Sequence, residues 1–263
     1  MADVVQKIDE LVAKARKAAD VMKEMTQEQV DKICAAMDAA SVANEVMLGE
    51  MAVAETGIGR ADHKAIKNHL GAHVVYEYFK DKKSVGVIKE EAGVTYVAEP
   101  FGVLAAATPT TNPTSTVMFK SLIAMKSRNV IIFACHPRAQ KCSVEAARIM
   151  RDAAVSAGAP ADCIQWIDEP SIEGTNLLFK HPGVNLILAT GGNAMVKSAY
   201  SSGHPAIGVG AGNTPVFISK SAKLSVAVNN VIASKTFDNG TICSSDQSMI
   251  FDDKEIADKA VKM

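Results

Sequence analysis

No run of about 18 uninterrupted apolar residues occurs, so no stretch reads as a membrane-spanning helix. Residues 1–20 alternate charged and apolar side chains and lack the continuous apolar core of a secretory signal, which makes the cytoplasm the expected location. Charge of neither sign is in excess: 28 Lys plus Arg face 29 Asp plus Glu. Without a clustered basic surface, neither nucleic acid nor an anionic membrane is an expected partner. Aromatic residues make up only 5%, too few for a stacking platform on single-stranded nucleic acid. The five cysteines, Cys34, Cys135, Cys142, Cys163 and Cys243, are odd in number and contain no CxxC pair, which fits free thiols in a reducing compartment better than a disulfide framework. No His/Cys grouping has zinc-site spacing, and no metal is expected. Neither standard phosphate loop is present, since no GxGxxG follows the first sheet strand and GxxxxGK[ST] is missing.

What is present is a 263-residue globular composition, 48% hydrophobic and 22% charged, enough for one large or two modest domains. Val5, Ile8, Leu11, Val12, Ala15, Ala19 and Met22 recur at helical spacing and predict a helix from Val4 to Met22. Thr26, with Gln29 three residues on, forms a capping-box pattern for a second helix carrying Val30, Ile33, Cys34 and Met37. A third helix is expected from about Asn44 to Glu55, ended by Thr56-Gly57, and a fourth from Ala61 to Phe79. Two β-rich runs, Val85–Lys89 and Val94–Ala98, flank Glu90-Glu91-Ala92-Gly93 and read as a hairpin.

From Gly102 onward strand and helix alternate. Apolar runs at Gly102–Ala107, Asn129–Ala134, Ile164–Ile167 and Val184–Ala189 suit strands buried on both faces. Helices are expected at Thr114–Met125, Ser143–Ser156 and Ser171–Phe179, and from Ala194 to about Ser201. Ile207–Val209 opens a glycine-rich segment that ends in a strand, Val216–Ile218, and Ser221 is expected to cap a helix carrying Leu224, Val228, Val231 and Ile232. The alternation, running to about Phe237, predicts an α/β fold with a parallel sheet and helices on both faces. Ligands of such sheets bind beyond the carboxyl ends of the strands. That places Thr108–Asn112, Cys135–Arg138, Thr190–Asn193 and Gly208–Gly212 around a site. After the last helix, Asn239-Gly240 is expected as a stop, Cys243 follows, and Gln247–Phe251 reads as a strand. On local pattern alone two readings of Cys243 stand: a reachable thiol on a turn, or a small buried hydrophobe.

Six segments together resemble one family, the CoA-acylating aldehyde dehydrogenases, and above all the N-terminal module of the bifunctional aldehyde-alcohol dehydrogenases. They are AVAETGIG (Ala52 to Gly59), PTTNPTSTVMFKSLI (Pro109 to Ile123), RNVIIFACHPRA (Arg128 to Ala139), AGAPADCIQWID (Ala157 to Asp168), ILATGGNAMVKSAYSSGHPAIGVGAGNTPV (Ile187 to Val216) and KTFDNGTICSSDQS (Lys235 to Ser248). The resemblance implies that Cys243 is the nucleophile. Its thiolate adds to an aldehyde carbonyl, and the Asn112 amide and the Cys243 N–H face the resulting oxyanion. Loss of hydride to a nicotinamide then leaves a thioester, which CoA accepts as acyl-CoA. Hydrolytic relatives carry Glu-Leu-Gly-Gly, whose glutamate activates water. Here Gly208-Val209-Gly210-Ala211-Gly212 stands in that place without a carboxylate, which favours a thiol acceptor.

The resemblance further implies that Thr108, Pro109 and Thr110 border the nicotinamide, and that His136, Pro137 and Arg138 border the adenosine ribose. Gly158 and Thr190, Gly191 and Gly192 lie along the adenine and pyrophosphate, and Gly210 and Gly212 complete the cofactor set. NAD is the expected cofactor, with NADP left open because Arg138 suits a ribose hydroxyl or a 2′-phosphate. CoA is the co-substrate and acetaldehyde the expected aldehyde, with sulfoacetaldehyde as an alternative. The expected division is an N-terminal helical part (1–83), a hairpin for homo-oligomer formation (84–100), a Rossmann-type sheet (101–234) and the start of a catalytic domain with the cysteine loop (235–263). The chain is expected to be truncated relative to the family, either a fragment or an inactive cofactor-binding or assembly module.

Overall fold

The computed structural model describes residues 2–263. Two long helices open the chain, α1 (Ala2–Lys23) and α2 (Gln27–Thr56). Thr26 Oγ1 accepts from the Gln29 N–H while the Gln29 side chain accepts from the Thr26 N–H, closing the expected capping box. The second and third expected helices are one element of 30 residues. No glycine or proline interrupts residues 38–44, and Ser41 and Asn44 donate to the carbonyls of Asp38 and Ala40 rather than breaking the helix. Gly57 ends α2 at φ 68°, its N–H donating to the Val53 carbonyl. The fourth expected helix is α3 (Ala61–His69) and α4 (Val75–Phe79) joined through a π-helical turn, Leu70–Val74. The turn falls where Gly71 meets a neighbour so closely that a Cβ would stand 2.9 Å from the Ser115 carbonyl oxygen. The hairpin follows as β1 (Gly86–Glu91) and β2 (Val94–Ala98), antiparallel, with Ala92 and Gly93 at positive φ in its turn.

The sheet is built from β3 (Val103–Ala107), β4 (Val130–Ala134), β5 (Ile164–Trp166), β6 (Leu186–Thr190) and β7 (Ala206–Val209), all parallel, in the order β5-β4-β3-β6-β7. Between them run α5 (Pro113–Lys126), α6 (Gln140–Ser156), α7 (Ile172–Lys180) and α8 (Asn193–Tyr200). The chain builds outward from β3 to β5, then returns to the other side of β3 and builds outward to β7. Right-handed crossovers therefore put α5 and α6 on one face and α7 and α8 on the other. α2 packs over α5 and α6, and α1 lies against β3, β4, β5 and α7. Both sides of β3 and β4 are buried, and the point where strand order reverses lies between β3 and β6.

A buried lysine marks that reversal. Lys120 of α5 donates to the carbonyls of Ala107 and Leu188, each at 2.7 Å, tying the carboxyl ends of β3 and β6 together. The alanines Ala105–Ala107 leave the room for it.

The parallel sheet ends with β7. The next strand, β8 (Thr214–Ile218), pairs in parallel with β9 (Asp246–Phe251) instead of extending it, so the expected alternation to Phe237 is divided between two sheets. Gly210-Ala211-Gly212 provides the bend. Between β8 and β9 lies α9 (Leu224–Thr236), and α10 (Lys254–Val261) follows β9. Ser221 does not cap α9: Lys223 holds the cap position without a side-chain bond, and the Ser221 hydroxyl pairs with that of Ser219.

Candidate active site

The segments after β3 and β6 diverge at the reversal point and open a cleft of about 500 Å³. Thr108–Asn112 forms one wall and Thr190–Gly192 another, with His136, Gly210, Gly212 and the Cys243 turn closing it. α8 starts directly after Gly192, which holds its cap position without a side-chain bond, and a Cβ on Gly192 would meet no atom within 4 Å. An open glycine before a helix N-terminus, with its unpaired N–H groups and positive dipole end, suits a phosphate. The cleft therefore fits a nucleotide pyrophosphate in both shape and charge. Among the described residues, no Asp or Glu lines it, and no cluster of three or more His, Cys, Asp or Glu side chains suits a metal.

The cysteine turn has an unusual backbone. α9 stops at Thr236, three residues before the expected Asn239-Gly240 stop, because Asp238, Asn239 and Gly240 all adopt positive φ (51°, 55° and 73°). Asp and Asn tolerate this region better than other non-glycine residues. The three left-handed residues turn the chain so that Cys243 is exposed while Cys34, Cys135, Cys142 and Cys163 are buried. That decides between the two readings of this thiol left open by its local pattern: it is reachable. Among the described residues the Cys243 N–H donates to no backbone acceptor. Gly212 is required on this turn, since a Cβ there would stand 2.6 Å from the Cys243 carbonyl oxygen.

Asn112 precedes α5, whose Pro113 occupies the first turn. One end of its amide bonds the Thr111 hydroxyl (3.1 Å) and the other, Oδ1, is buried without a partner. A hydroxyl bonds an amide nitrogen or an amide oxygen equally well, so a half-turn of the amide presents N–H groups where Oδ1 stands. Asn112 and Cys243 border two cavities at once. The second, about 530 Å³, is walled by Leu70, Val74, Phe119 and Ile242. Lys67 is its one charged side chain among the described residues.

Of the residues expected at the cofactor, Thr108, Pro109, Thr110, His136, Thr190, Gly191, Gly192, Gly210 and Gly212 border the first cleft together. Pro137 and Arg138 follow β4 at the same sheet edge in an exposed 3-10 turn but do not line it. The Arg138 N–H donates to His136 Nδ1 at 3.1 Å, and partial burial, then the Arg138 charge, lowers the His136 pKa. Gly158 is a correction. It lies past the far end of α6, before β5 begins, and so at the opposite edge of the sheet, where its φ of 113° serves the helix end. Sequence reasoning missed Lys64, Lys67, Asp238 and Lys120. Nothing in the local pattern singled them out: on α3 the apolar Ile66 is exposed while Lys64 and Lys67 are buried, and Asp238 lies in a turn beyond α9.

The aldehyde dehydrogenase family model matches residues 2–263. The bifunctional aldehyde-alcohol dehydrogenase of Escherichia coli K12 is 52% identical over 248 residues, covering 94% of this chain and 28% of that protein. Among solved structures, an acetylating aldehyde dehydrogenase from Geobacillus thermoglucosidasius superimposes with a TM-score of 0.94 at 46% identity, over 99% of this chain and 58% of that one. A propionaldehyde dehydrogenase from Rhodopseudomonas palustris, solved with bound CoA and an acylated cysteine, superimposes with a TM-score of 0.84 at 31% identity, over 97% of this chain and 58% of that one. The chain thus spans less than a third of that curated relative and about three fifths of those solved structures.

Proposed function

The chain belongs to the aldehyde dehydrogenase family, and on that premise we propose that it carries the cofactor site and the nucleophile of a CoA-acylating aldehyde dehydrogenase. One observation carries the reading: the single exposed cysteine borders two cavities together with Asn112, one lined by threonines and glycines and one walled by apolar side chains. The apolar cleft takes the alkyl end of a short aldehyde, acetaldehyde above all. The Cys243 thiolate attacks the carbonyl carbon, the new C–S bond forms, and the carbonyl electron pair moves to oxygen. The Asn112 amide and the Cys243 N–H stabilise that oxyanion; one such donor contributes about 2.7–4 kcal/mol elsewhere. A nicotinamide cofactor held by Thr108–Thr110, the Thr190–Gly192 turn and Gly210 supplies the hydride acceptor. Cys243 then holds the acyl group as a thioester. The CoA thiol is the acceptor in this reading and leaves as acyl-CoA, which the lack of a carboxylate on either cleft among the described residues supports.

We take NAD as the cofactor and retain NADP as the alternative, with Arg138 near the cleft rim as the residue that discriminates. Five free thiols support a reducing, cytoplasmic setting. The hairpin leaves Val87, Ile88, Val94, Tyr96 and Val97 exposed, which supports its use in pairing with a second copy. The division into 1–83, 84–100, 101–234 and 235–263 is kept with its last boundary moved to about 210–213, since β8 and β9 form one unit. A sulfoacetaldehyde substrate matches less well, because the one charged side chain of the apolar wall among the described residues, Lys67, is already bonded to Asp238.

A second reading, a cofactor-binding or assembly module inactive alone, is favoured by exposed apolar side chains on β8, α9 and β9, among them Phe217, Val226, Ile232 and Ile250. NAD(P)H formation from acetaldehyde, with and without CoA, separates the two. CoA-dependent formation that is lost in Cys243→Ala supports the enzyme. Cofactor binding without turnover supports the module.

A further inference from the structure

Five residues before Cys243, Asp238 is buried beneath α3 and surrounded by donors. Its Oδ1 accepts from the Arg60 N–H at 2.9 Å. Its Oδ2 accepts from Lys64 Nζ at 2.6 Å, from Lys67 Nζ, and from the Thr241 hydroxyl at 2.7 Å. Its own N–H donates to His63 Nδ1 at 2.7 Å, and the His63 ring stacks on Phe237. Gly59 faces the carboxylate so closely that any side chain there would overlap it. The two lysines, one helical turn apart on α3, have a second acceptor in common. Both donate to the carbonyl oxygen of Thr111, the residue directly before Asn112. They are 2% and 4% exposed, so both ammonium groups are committed inside the protein.

We propose that Lys64 and Lys67 are positioning residues, which hold the Cys243 turn and the Asn112 turn at a fixed separation by binding Asp238 and the Thr111 carbonyl together. The inference rests on the reading of Cys243 as nucleophile and Asn112 as oxyanion donor. Charge counting supports a role beyond stability. Two cations face one carboxylate, so a single lysine would already neutralise Asp238, while an unpaired buried charge is costly. Burial pushes Lys67 down to about 8 even against the pull of Asp238. Each lysine bridges two loops that no backbone hydrogen bond joins among the described residues, and the second cation doubles that tie.

The test compares two reactions of the same thiol. Acylation by p-nitrophenyl acetate passes through an oxyanion: Sγ bonds the carbonyl carbon, and collapse expels p-nitrophenolate. Alkylation by iodoacetamide displaces iodide at carbon and forms no oxyanion. Lys64→Met leaves Lys67 to balance Asp238 and preserves volume. It is expected to slow acylation of Cys243 about 10- to 100-fold, with alkylation changed less than about threefold, if it removes part of one oxyanion donor's effect. In an Asn112→Ala background the same substitution is expected to add almost nothing, since both act on one interaction. Asp238→Asn is the second variant and is expected to give the same ratio. NADH binding, read by fluorescence, reports that each variant is folded. Equal slowing of both reactions, or a full additional loss in the Asn112→Ala background, overturns the proposal. Unchanged acylation in the variants also overturns it. If wild type and Cys243→Ala are acylated alike, the nucleophile reading falls and the inference falls with it.

Discussion

Four of the five thiols are enclosed by the packing of the helices and sheet. Burial pushes Cys34, Cys135 and Cys163 up to about 12 and Cys142 upward as well, whereas Cys243 is exposed. The thiolate is the reacting species. Iodoacetamide at neutral pH is therefore expected to modify the native chain once, at Cys243, as read by peptide mass, and a second modified site in folded protein would contradict the burial described. Lys120 carries a pH prediction. Burial pushes it down to about 7 from 10.5. Between those values the unfolded chain holds a proton that the folded chain has shed, so stability rises with pH through that window and is lost as pH falls toward 7, levelling off below it. The urea midpoint of wild type is expected to rise from pH 7 to pH 9.5 more steeply than that of Lys120→Met. Parallel slopes would show that the carbonyls of Ala107 and Leu188 hold the proton on.

At the level of elements, the cysteine turn depends on backbone contact as much as on side chains. Gly212→Ala puts a methyl group against the Cys243 carbonyl, which cannot move without moving the proposed nucleophile. A loss of about 1–3 kcal/mol of stability is expected from such overpacking, with acyl transfer to CoA falling at least tenfold. Normal acyl transfer in Gly212→Ala would mean that the turn yields freely. Much of this architecture was legible in the residues. Apolar runs found four of the five strands of the main sheet to within two residues, missing β7, which read only as the opening of a glycine-rich segment; the Thr26 box was visible as a motif, and Ser171 does cap α7 through the Gly174 N–H. The failures have physical causes. Local pattern cannot say that α2 runs unbroken through residues 38–44, because Ser41 and Asn44 bond carbonyls of their own helix. It cannot say that β8 pairs with β9 across the 27 residues between Ile218 and Asp246, because register is a tertiary matter. Gly158 was assigned to the cofactor from a motif whose glycine serves a helix end. The Asp238 network was invisible because its members are 171 to 178 residues apart.

Across the whole molecule, one sheet supplies two loops and a separate short sheet supplies the thiol, so the site exists only where the two units meet. The hairpin stands outside this core with apolar residues on its surface. Val97→Glu is expected to reduce the sedimenting mass of an assembled species while leaving the melting temperature nearly unchanged, because the position is already exposed. An unchanged mass would remove the hairpin from the assembly. The central claim is that Cys243 carries an acyl group between aldehyde and CoA, and the reverse half-reaction isolates it without any hydride transfer. Acetyl-CoA is incubated with the chain and the Cys243 peptide is weighed. An acetyl thioester on Cys243, absent in Cys243→Ala and reduced at least tenfold in Asn112→Ala, is the predicted result. Acetylation at another residue, or a Cys243 that stays unmodified in folded protein able to bind CoA, would contradict the account.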